Sequence, residues 1–529
     1  MTSQDCHPAP SLVVTAAQMQ AIEGQLFAAG MPVAALMEKV AGRIAAWLVT
    51  HFPQPSYPRV GILVGPGHNG GDALVIGREL FFGGYQVQVC SPFERHKPLT
   101  ADHLRFVQGL GISISPDLDA LANCDLRVDG LFGFGLERPI QGDLAQLIGA
   151  VNADPGPVVS IDLPSGLHTD TGAVLGTALR ATHTLCLGLW KRAFCQDDAL
   201  AYLGQTHLID FNIPAAAVEA GLGHTPRVQR MTVEAALARL PLPRAPSTHK
   251  YQVGQLLAIA GSRQYIGAAL LTGLGARASG VGMLTLVVPE SLRLLVAAHL
   301  PEALVVGCAE TETGAIAHLP NDLDLTRYNA IACGPGLSQA AGPVVDAVLA
   351  SPVPLVLDAD GLTLLAAQNP ITKLLSRSAP TLLTPHPGEF KRLFPGIREA
   401  AADAGAAAQT AATQAQAVVL LKGACTAIAH PDGRLWYIPE STPALARGGS
   451  GDILTGLTGG LLAQLAAADS APNSSPHPSL NLALDAALVG AWWHGQAARL
   501  AAAARTELGV EASQLAAYLN LALAQVLAP

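Results

Sequence analysis

The stretch GPGHNGGD at residues 65–72 decides the fold of the first half of the chain. It follows an apolar run at 60–64 that predicts a β-strand, and it precedes residues 73–82, which we predict to form a helix. Glycines in such a turn let backbone amides approach a ligand closely, and a helix N-terminus attracts phosphate. Ligands also bind at this edge of an open α/β sheet. The alternative is a tight turn with Asp72 near the helix start and no ligand.

Strands and helices alternate on both sides of this stretch. Upstream, the periodicity of residues 16–50 predicts two helices separated by a break at Gly30-Met31-Pro32. Downstream, four more strands are predicted: Tyr85–Cys90, Leu126–Leu131, Val158–Ile161 and Thr184–Leu187. This βαβ rhythm predicts a mostly parallel sheet with helices on both faces.

Polar residues follow two of these strands. The sequences VDGLFGFG at 128–135 and SIDLPSG at 160–166 each place a carboxylate near a strand end. Because parallel strands end on one rim of a sheet, we expect Asn69, Asp129 and Ser165 to converge as oxygen ligands for a cation. Taken singly, each of the three is more often a helix cap or a turn residue.

A second α/β domain is predicted after residue 245. Residues 223–245 lose the periodic pattern and run into the proline-rich stretch PLPRAPST at 241–248, so we place a linker there, between domains at 1–222 and 246–529. Candidate strands of the second domain are Gln255–Ala260, Met283–Val288, Ala330–Cys333, Leu355–Leu357, Thr381–Thr384, Val418–Leu421 and Thr426–Ala429.

The motif GGSGD at 448–452 precedes an apolar helix predicted at 453–465. Glycines at a helix N-terminus form an anion hole that stabilises a transferring phosphoryl group. Asp452, in the first helical turn, is placed to accept a proton from a hydroxyl that attacks phosphate. The alternative is a capped helix after a glycine turn.

Other polar motifs end neighbouring strands of the second domain. LKGACT at 421–426 is typical of a nucleotide phosphate and ribose site, although alone it is also a common hairpin. His386, in TPHPGE at 384–389, either reaches a substrate or only stabilises a turn. Asp358 and Asp360 either act through magnesium or water, or cap turns.

The composition restricts the class of protein. The 529 residues carry a net charge of -9 and no segment is strongly basic, so we expect no nucleic-acid partner. The eight cysteines are scattered without metal-like spacing, which is typical of reduced thiols in a cytoplasmic protein. We find neither a secretory signal nor an apolar run of about 18 residues, so we expect no membrane partner.

Residues 1–222 resemble the NAD(P)H-hydrate epimerase family. The resemblance rests on LME at 36–38, GPGHNGGD, VDGLFGFG, SIDLPSG and GLWK at 188–191. It implies a Rossmann-like three-layer sandwich, and a potassium ion bound by Asn69, Asp129 and Ser165. The substrate contacts that it implies are His68, Asn69, Gly70, Gly71, Asp72, Gly133, Phe134, Gly135, Leu136, Glu137, Arg138, Pro139 and Asp162. His68 and Ala73 stand where the family usually has asparagine and glycine. We further expect Asp129 to be a general acid–base at the hydrated carbon.

The second domain resembles the ADP/ATP-dependent NAD(P)H-hydrate dehydratases of the ribokinase-like superfamily. The resemblance rests on HK at 249–250, GPGL at 334–337, LDAD at 357–360, HG at 494–495 and the three motifs above. It implies a ribokinase-like three-layer sandwich. The implied substrate contacts are Ala269, Gly336, His386 and Asp452, and the implied nucleotide contacts are Lys422, Gly423, Ala424, Cys425, Thr426 and Gly451.

Together the two resemblances imply metabolite repair. The first domain would interconvert the R and S forms of hydrated NADH and NADPH, and the second would return the S form to NADH or NADPH. The implied phosphoryl donor is ADP or ATP with magnesium, and a homo-oligomer is expected because both families commonly assemble. Two alternatives remain open: a small-molecule kinase with a regulatory N-terminal half, and a non-catalytic dinucleotide-binding protein.

Overall fold

The chain folds into two compact units, Met1–Arg227 and Val228–Pro529, which we call unit 1 and unit 2. The structure is a computed structural model, and it describes residues 11–223, 227–469 and 479–528. Within these residues, no helix is both long and apolar enough to cross a membrane.

Unit 1 alternates strands and helices. Its strands are β1 (Leu12–Val14), β2 (Arg59–Val64), β3 (Gln86–Cys90), β4 (Ser113–Ser115), β5 (Leu126–Gly130), β6 (Val158–Ile161), β7 (His183–Leu187), β8 (Trp190–Lys191) and β9 (Gln205–Ile209). Its helices are α1 (Ala16–Ala28), α2 (Val33–His51), α3 (His68–Phe82), α4 (Pro98–Gly109), α5 (Gly142–Ala153), α6 (Leu200–Leu203) and α7 (Ala215–Leu222).

The main sheet of unit 1 is parallel, with the strand order β4-β3-β2-β5-β6-β7-β9. The strand β1 pairs in parallel with β8. In this sheet, β2, β3 and β4 follow one another outward on one side, and β5, β6, β7 and β9 follow one another outward on the other. The strand order therefore reverses between β2 and β5. Such a reversal leaves a crevice at the carboxyl ends of the strands, where α/β proteins bind ligands.

Helix α1 presents two different faces. Thr15 starts it with a capping box, in which the Thr15 hydroxyl accepts from the Gln18 amide at 3.2 Å. Met19, Ile22 and Leu26 are buried in the core, which leaves Gln20, Glu23 and Phe27 on a second stripe. Gly30 has a φ of +97°, so the chain can turn there before α2.

Helix α3 begins at His68, five residues before the predicted start at Ala73. Residues 68–72 are therefore the first turns of a helix and not a loop. A Cβ on Gly70 would overlap the carbonyl of Gly65, and a Cβ on Gly71 would lie 2.6 Å from the Met37 side chain. The two glycines thus permit close packing of α3, which the loop interpretation of GPGHNGGD did not include.

Unit 2 is larger and continues the alternation. Its strands are β10 (Val228–Arg230), β11 (Gln255–Ile259), β12 (Met283–Pro289), β13 (Leu304–Cys308), β14 (Ala330–Cys333), β15 (Leu355–Leu357), β16 (Thr381–Leu383), β17 (Val418–Leu421), β18 (Thr426–Ala429) and β19 (Leu435–Ile438). Its helices are α8 (Val233–Leu237), α9 (Ile266–Ala278), α10 (Arg293–His299), α11 (Gly342–Ala350), α12 (Ala359–Ala366), α13 (Pro370–Leu375), α14 (Pro387–Leu393), α15 (Ile397–Ala400), α16 (Ala404–Ala415), α17 (Ser450–Asp469), α18 (Ser479–Arg505) and α19 (Ala512–Leu527).

The sheet of unit 2 is parallel over β13-β12-β11-β14-β15-β16-β17 and continues through the antiparallel strands β18 and β19. The order again reverses, here between β11 and β14. Two parallel sheets surrounded by helices confirm the α/β fold class. The stretch 223–245, which we predicted as a linker, contains β10 and α8, and β10 pairs with β19, so part of it belongs to the sheet of unit 2.

Candidate active sites

A cavity of about 400 Å³ lies in unit 1 where β2 and β5 end. Of the predicted substrate contacts, it is lined by His68, Asn69, Asp72, Gly133, Phe134, Gly135, Leu136 and Asp162. Gly70 and Gly71 are buried within α3 instead, and Glu137, Arg138 and Pro139 are exposed on the loop after β5. The crevice predicted from the strand order therefore contains most, but not all, of the expected contacts.

Asp162 is a fixed anion in the wall of this cavity. It follows β6 with a φ of +65°, and its side chain is almost fully buried. One carboxylate oxygen lies 2.5 Å from Lys191 Nζ, and the other accepts from the Phe134 amide at 3.1 Å. Burial lowers the pKa of Lys191, but Asp162, Cys186 and Glu23 together outweigh burial, so the pKa is raised. The pair is therefore charged, and Asp162 holds the loop at Phe134.

Two further carboxyl groups line the cavity. Burial raises the pKa of Glu23 to about 7, with Lys191 opposing the shift and Asp162 adding to it. Burial also raises the pKa of Asp72 well above its usual range, and Asp162 and Glu23 add to that shift. Burial and the nearby Lys97 lower the pKa of His68. The cavity thus offers carboxyl groups that can carry a proton near neutral pH, beside one fixed ion pair.

Asp129 ends β5 but does not line the cavity. It is fully buried, and its carboxylate accepts hydrogen bonds from the Ser165 hydroxyl at 2.6 Å, the Ser165 amide at 2.9 Å and the Ser160 hydroxyl at 2.8 Å. The Leu131 amide donates a fourth bond at 3.2 Å. Burial raises the pKa of Asp129, and these bonds oppose that shift. This environment fixes the carboxylate and leaves it no direct access to the cavity.

The residues predicted for potassium, Asn69, Asp129 and Ser165, have side-chain oxygen atoms that can bind a cation. Asp129 makes no ion pair with any described residue, so its buried charge has no protein counter-ion. The Ser165 hydroxyl lies between the Asp129 carboxylate and the Phe132 carbonyl, which is 3.3 Å away. The amide nitrogen of Asn69 is buried without a hydrogen-bond partner, so turning this amide to present its oxygen breaks no bond. A monovalent cation fits these groups.

In unit 2, the GGSGD motif lies at the start of α17, and Asp452 is in the first turn as predicted. The Ser450 hydroxyl donates to the Leu445 carbonyl at 2.8 Å, and His494 Nε2 lies 3.0 Å from the Ser450 carbonyl. Burial lowers the pKa of His494 to about 4, so the ring is neutral and donates this bond. These contacts fix the turn that presents Asp452.

Burial raises the pKa of Asp452 to about 6, and the nearby Asp358 adds to the shift while Lys422 opposes it. Asp358 directly follows β15, and its carboxylate has three partners. Its carboxylate lies 2.8 Å from Lys422 Nζ, and it accepts from the Thr455 hydroxyl at 2.6 Å and the Ala359 amide at 2.9 Å. Burial lowers the pKa of Lys422, but Asp358 and Glu389 outweigh burial and raise it. Lys422 is thus a charged lysine that Asp358 holds beside Asp452.

These contacts concern two questions that the sequence left open. Asp358 caps α12 and orients Lys422. Asp360 accepts from the Ser338 amide at 2.8 Å. His386 caps α14, where its Nδ1 accepts from the Gly388 amide at 3.0 Å, but its ring is still half exposed. His386 therefore stabilises a turn and remains accessible to a ligand.

The other predicted residues of unit 2 lie at two places. Gly336 has a φ of +64°, and a Cβ there would lie 2.7 Å from Ala268 and 2.8 Å from Tyr265. Ala269 is buried next to Gly261, whose amide donates to the Pro335 carbonyl at 2.8 Å. Gly423, Ala424 and Cys425 lie in the β17–β18 turn, and Thr426 begins β18. A Cβ on Gly451 would be 3.6 Å from Lys422 Nζ. Lys422 thus connects this turn to the GGSGD motif.

Both units are similar in sequence to known protein families. Residues 256–521 match the family described as NAD(P)H-hydrate dehydratase, and residues 33–193 match the YjeF-related protein N-terminus family. The bifunctional NAD(P)H-hydrate repair enzyme Nnr of Synechocystis is 55% identical over 517 residues, which are 98% of this chain and 96% of the relative. The chain belongs to the family of bifunctional NAD(P)H-hydrate repair enzymes. The enzyme of this name from Thermosynechococcus vestitus is 52% identical over 516 residues, 98% of either chain.

The family assignment confirms both resemblances predicted from the sequence. Among solved structures, the ADP/ATP-dependent NAD(P)H-hydrate dehydratase of Bacillus subtilis, co-crystallised with ATP and Mg²⁺, is similar to part of this chain. The two are 32% identical, with a TM-score of 0.45, and the match covers 57% of this chain and 99% of the Bacillus chain.

The sequence reasoning missed three residues that the structure places in or beside these candidate sites. Glu23 lies on α1, upstream of the 33–193 family match. The sequence feature that could have indicated it is the second stripe of α1, formed by Gln20, Glu23 and Phe27. Lys191 was quoted only as part of GLWK, and a lysine in an otherwise apolar segment was the available signal. His494 was quoted as part of HG, but its bond to Ser450 joins residues 44 positions apart and could not be read from the sequence.

Proposed function

We propose that unit 1 interconverts the R and S forms of hydrated NADH and NADPH, and that unit 2 dehydrates the S form with ADP or ATP as phosphoryl donor. The observation that carries the proposal is Asp452, a carboxyl with a pKa of about 6 at the start of α17, beside the charged Lys422. An ionised Asp452 can take a proton from a hydroxyl, and the helix N-terminus stabilises phosphoryl oxygens.

The dehydration follows from this arrangement. The hydrate carries a hydroxyl on the reduced nicotinamide ring, and hydroxide is a poor leaving group. Asp452 takes the hydroxyl proton while the oxygen attacks the terminal phosphorus of the nucleotide. Departure of phosphate, with loss of a proton from the neighbouring ring carbon, restores the double bond. Lys422 offsets negative charge on the phosphates, and Asp358 keeps its ammonium in place.

Nucleotide and magnesium are proposed to bind at Lys422, Gly423, Ala424, Cys425, Thr426 and Gly451. Magnesium in such sites is usually held by phosphates, water and one or two carboxylates. The described residues contain no group of three or more acidic, histidine or cysteine side chains that would hold a metal. Magnesium would therefore enter with the nucleotide. Ala269, Gly336 and His386 are proposed to contact the hydrate.

In unit 1, the hydrate is proposed to bind in the cavity at His68, Asn69, Asp72, Phe134 and Asp162. Potassium is proposed to be held by Asn69, Asp129 and Ser165. When bound, the ion supplies a positive charge that offsets the buried Asp129. The same donors hold the loop after β5, because the Ser165 hydroxyl accepts from the Phe132 amide at 2.9 Å.

Potassium binding predicts a cation-specific rise in stability. Replacing choline chloride by potassium chloride at equal ionic strength should raise the unfolding temperature of unit 1, because a ligand at about ten times its Kd contributes about 1.4 kcal/mol. Scanning calorimetry measures the shift. Ser165→Ala should abolish the difference between the salts. Equal unfolding temperatures in the two salts for the unaltered protein would contradict the potassium site.

The activity itself is tested with purified protein and a mixture of hydrated NADH epimers. With magnesium, potassium and either ADP or ATP, absorbance at the reduced-nicotinamide band should recover for both epimers. Recovery of one epimer's share alone would contradict the role of unit 1. Accumulation of a stable phosphorylated product without NADH would indicate a small-molecule kinase.

Three other expectations remain predictions. They are catalytic domains at 1–222 and 246–529, assembly into a homo-oligomer, and a cytoplasmic location. Light scattering coupled to gel filtration measures the second directly.

A further inference from the structure

Glu23 is a partly exposed carboxyl group in the wall of the unit 1 cavity. It projects from α1 on the same stripe as Gln20 and Phe27, and all three line the cavity. Described residues form no hydrogen bond with its carboxyl. Asp162, in contrast, is bound by Lys191 and by the Phe134 amide, and Asp129 lies behind the wall with its hydrogen bonds satisfied.

The chemistry of the substrate requires a proton that moves in both directions. Water adds to an enamine at the carbon attached to nitrogen, so the hydroxyl of the hydrate lies beside the ring nitrogen. Inversion at that carbon needs the carbon–oxygen bond to break and to form again on the other face. A group that is half protonated near neutral pH serves both steps most efficiently.

We infer that Glu23 is the acid–base residue of the epimerase site, an inference that rests on the proposed function of unit 1. In its protonated form it donates a proton to the departing hydroxyl, and the nitrogen lone pair becomes the second carbon–nitrogen bond as water leaves. Water then adds to the opposite face of this cation, and the Glu23 carboxylate takes the released proton. The bonds and charges return to their starting state, so no other reactant is needed.

The surroundings of Glu23 suit this cycle. Burial raises its pKa to about 7, so both forms are populated at neutral pH. Helix α7, which packs on α1, carries Glu219, and that residue pairs with Arg227. The other charged or titratable groups that line the cavity are His68, Asp72, Lys97, Asp162 and Lys191. The Asp162–Lys191 pair is fixed, and the pKa of Asp72, raised well above its usual range by burial, favours its neutral form, which makes Asp72 a poor proton acceptor.

The test uses the full-length protein with Glu23→Gln, and chromatography of the R and S hydrates without nucleotide. After subtraction of the spontaneous rate, kcat for interconversion should fall by about 100-fold or more, with KM changed by no more than a few fold. Glu23→Asp should restore part of kcat. Glu219→Gln, an exposed glutamate on the neighbouring helix, is the matched control and should behave like the unaltered protein.

The other outcomes are equally definite. A Glu23→Gln protein that keeps its kcat, or in which only KM changes, overturns the role of Glu23. An unaltered protein that does not interconvert the epimers overturns the proposed function of unit 1 instead. Dehydration of the purified S form with nucleotide should be unchanged in Glu23→Gln. The pH profile should change as well, because the inflection near pH 7 in the unaltered protein should be absent in Glu23→Gln.

Discussion

At the scale of residues, both units place a free carboxyl with a raised pKa beside a buried, fixed ion pair. In unit 1 the free carboxyl is Glu23 and the pair is Asp162–Lys191. In unit 2 it is Asp452, next to Asp358–Lys422. The fixed lysine stays charged, while burial raises the pKa of the free carboxyl to about 7 in Glu23 and to about 6 in Asp452. A site of this kind keeps a positive charge and a movable proton a short distance apart.

The pH dependence of dehydration should report Asp452. This residue has to be ionised to accept the hydroxyl proton, and its pKa is raised to about 6. Below that value the rate should therefore fall about tenfold per pH unit, and above about pH 7 it should be level. The measurement is kcat/KM for the purified S form between about pH 5 and pH 8. A rate that is flat throughout this range would rule out Asp452 as the base.

The buried ion pair of unit 1 should be important for stability. Lys191→Met removes the partner of Asp162, whose charge is almost fully buried, and a buried charge left unpaired costs about 3–5 kcal/mol. Chemical denaturation with a probe in unit 1 measures the loss. Lys39→Met, at an exposed position of α2, should change stability by no more than about 0.5 kcal/mol. Equal stabilities of the two variants would contradict this assignment.

Much of the site could be predicted at the residue level, but its contacts could not. Asp452 was assigned correctly to a first helical turn because GGSGD is a local pattern. The sequence left Asp358 open between magnesium binding and turn capping, and it did not show the contact of Asp358 with Lys422, 64 residues away. The position of Asp129 behind the cavity wall likewise depends on Ser160 and Ser165.

At the scale of elements, the contact of α9 with α17 positions the catalytic turn. A Cβ on Gly456 would overlap the Thr272 carbonyl, and one on Gly275 would overlap the Ile453 carbonyl. The two helices therefore meet backbone to backbone, which only glycine allows. Asp452 lies one turn before Gly456, so this contact determines where its carboxyl stands.

Gly456→Ala should therefore lower the stability of unit 2, by about 1–3 kcal/mol for overpacking a close contact. Dehydration should weaken with it, because α17 would move. Urea unfolding and the dehydration rate are the measurements. Gly267→Ala, in the first turn of α9 with open space around it, is the control and should keep its stability. A stable and fully active Gly456→Ala protein would contradict this role of the contact, because α9 and α17 could then move apart without loss of stability or activity.

Periodicity predicted elements better than it predicted their ends. Strands β6, β14, β15, β17 and β18 have the predicted bounds. Helix α3 starts early, since close packing against Met37 and Gly65 lets glycines remain helical. Strand β13 was missed although its sequence, LVVGC at 304–308, is apolar, and it lies partly exposed at the edge of the sheet.

At the scale of the whole molecule, two different chemistries are joined in one chain. Each unit has its own parallel sheet, and in each sheet the strand order reverses once beside the candidate site. This similarity of topology was not apparent from the sequence, because the motifs of the two halves are unrelated. The proposed reactions are sequential, since the epimer that unit 2 does not accept is converted by unit 1.

The central claim is that the two reactions have separate catalytic residues in one chain. Asp452→Asn tests it most directly, with the R and S hydrates and NADH all quantified by chromatography in the presence of nucleotide and magnesium. We predict that interconversion of the epimers continues at the unaltered rate while NADH recovery falls by about 10²–10⁴-fold. Unchanged NADH recovery, or loss of both activities in a folded protein, would contradict the account.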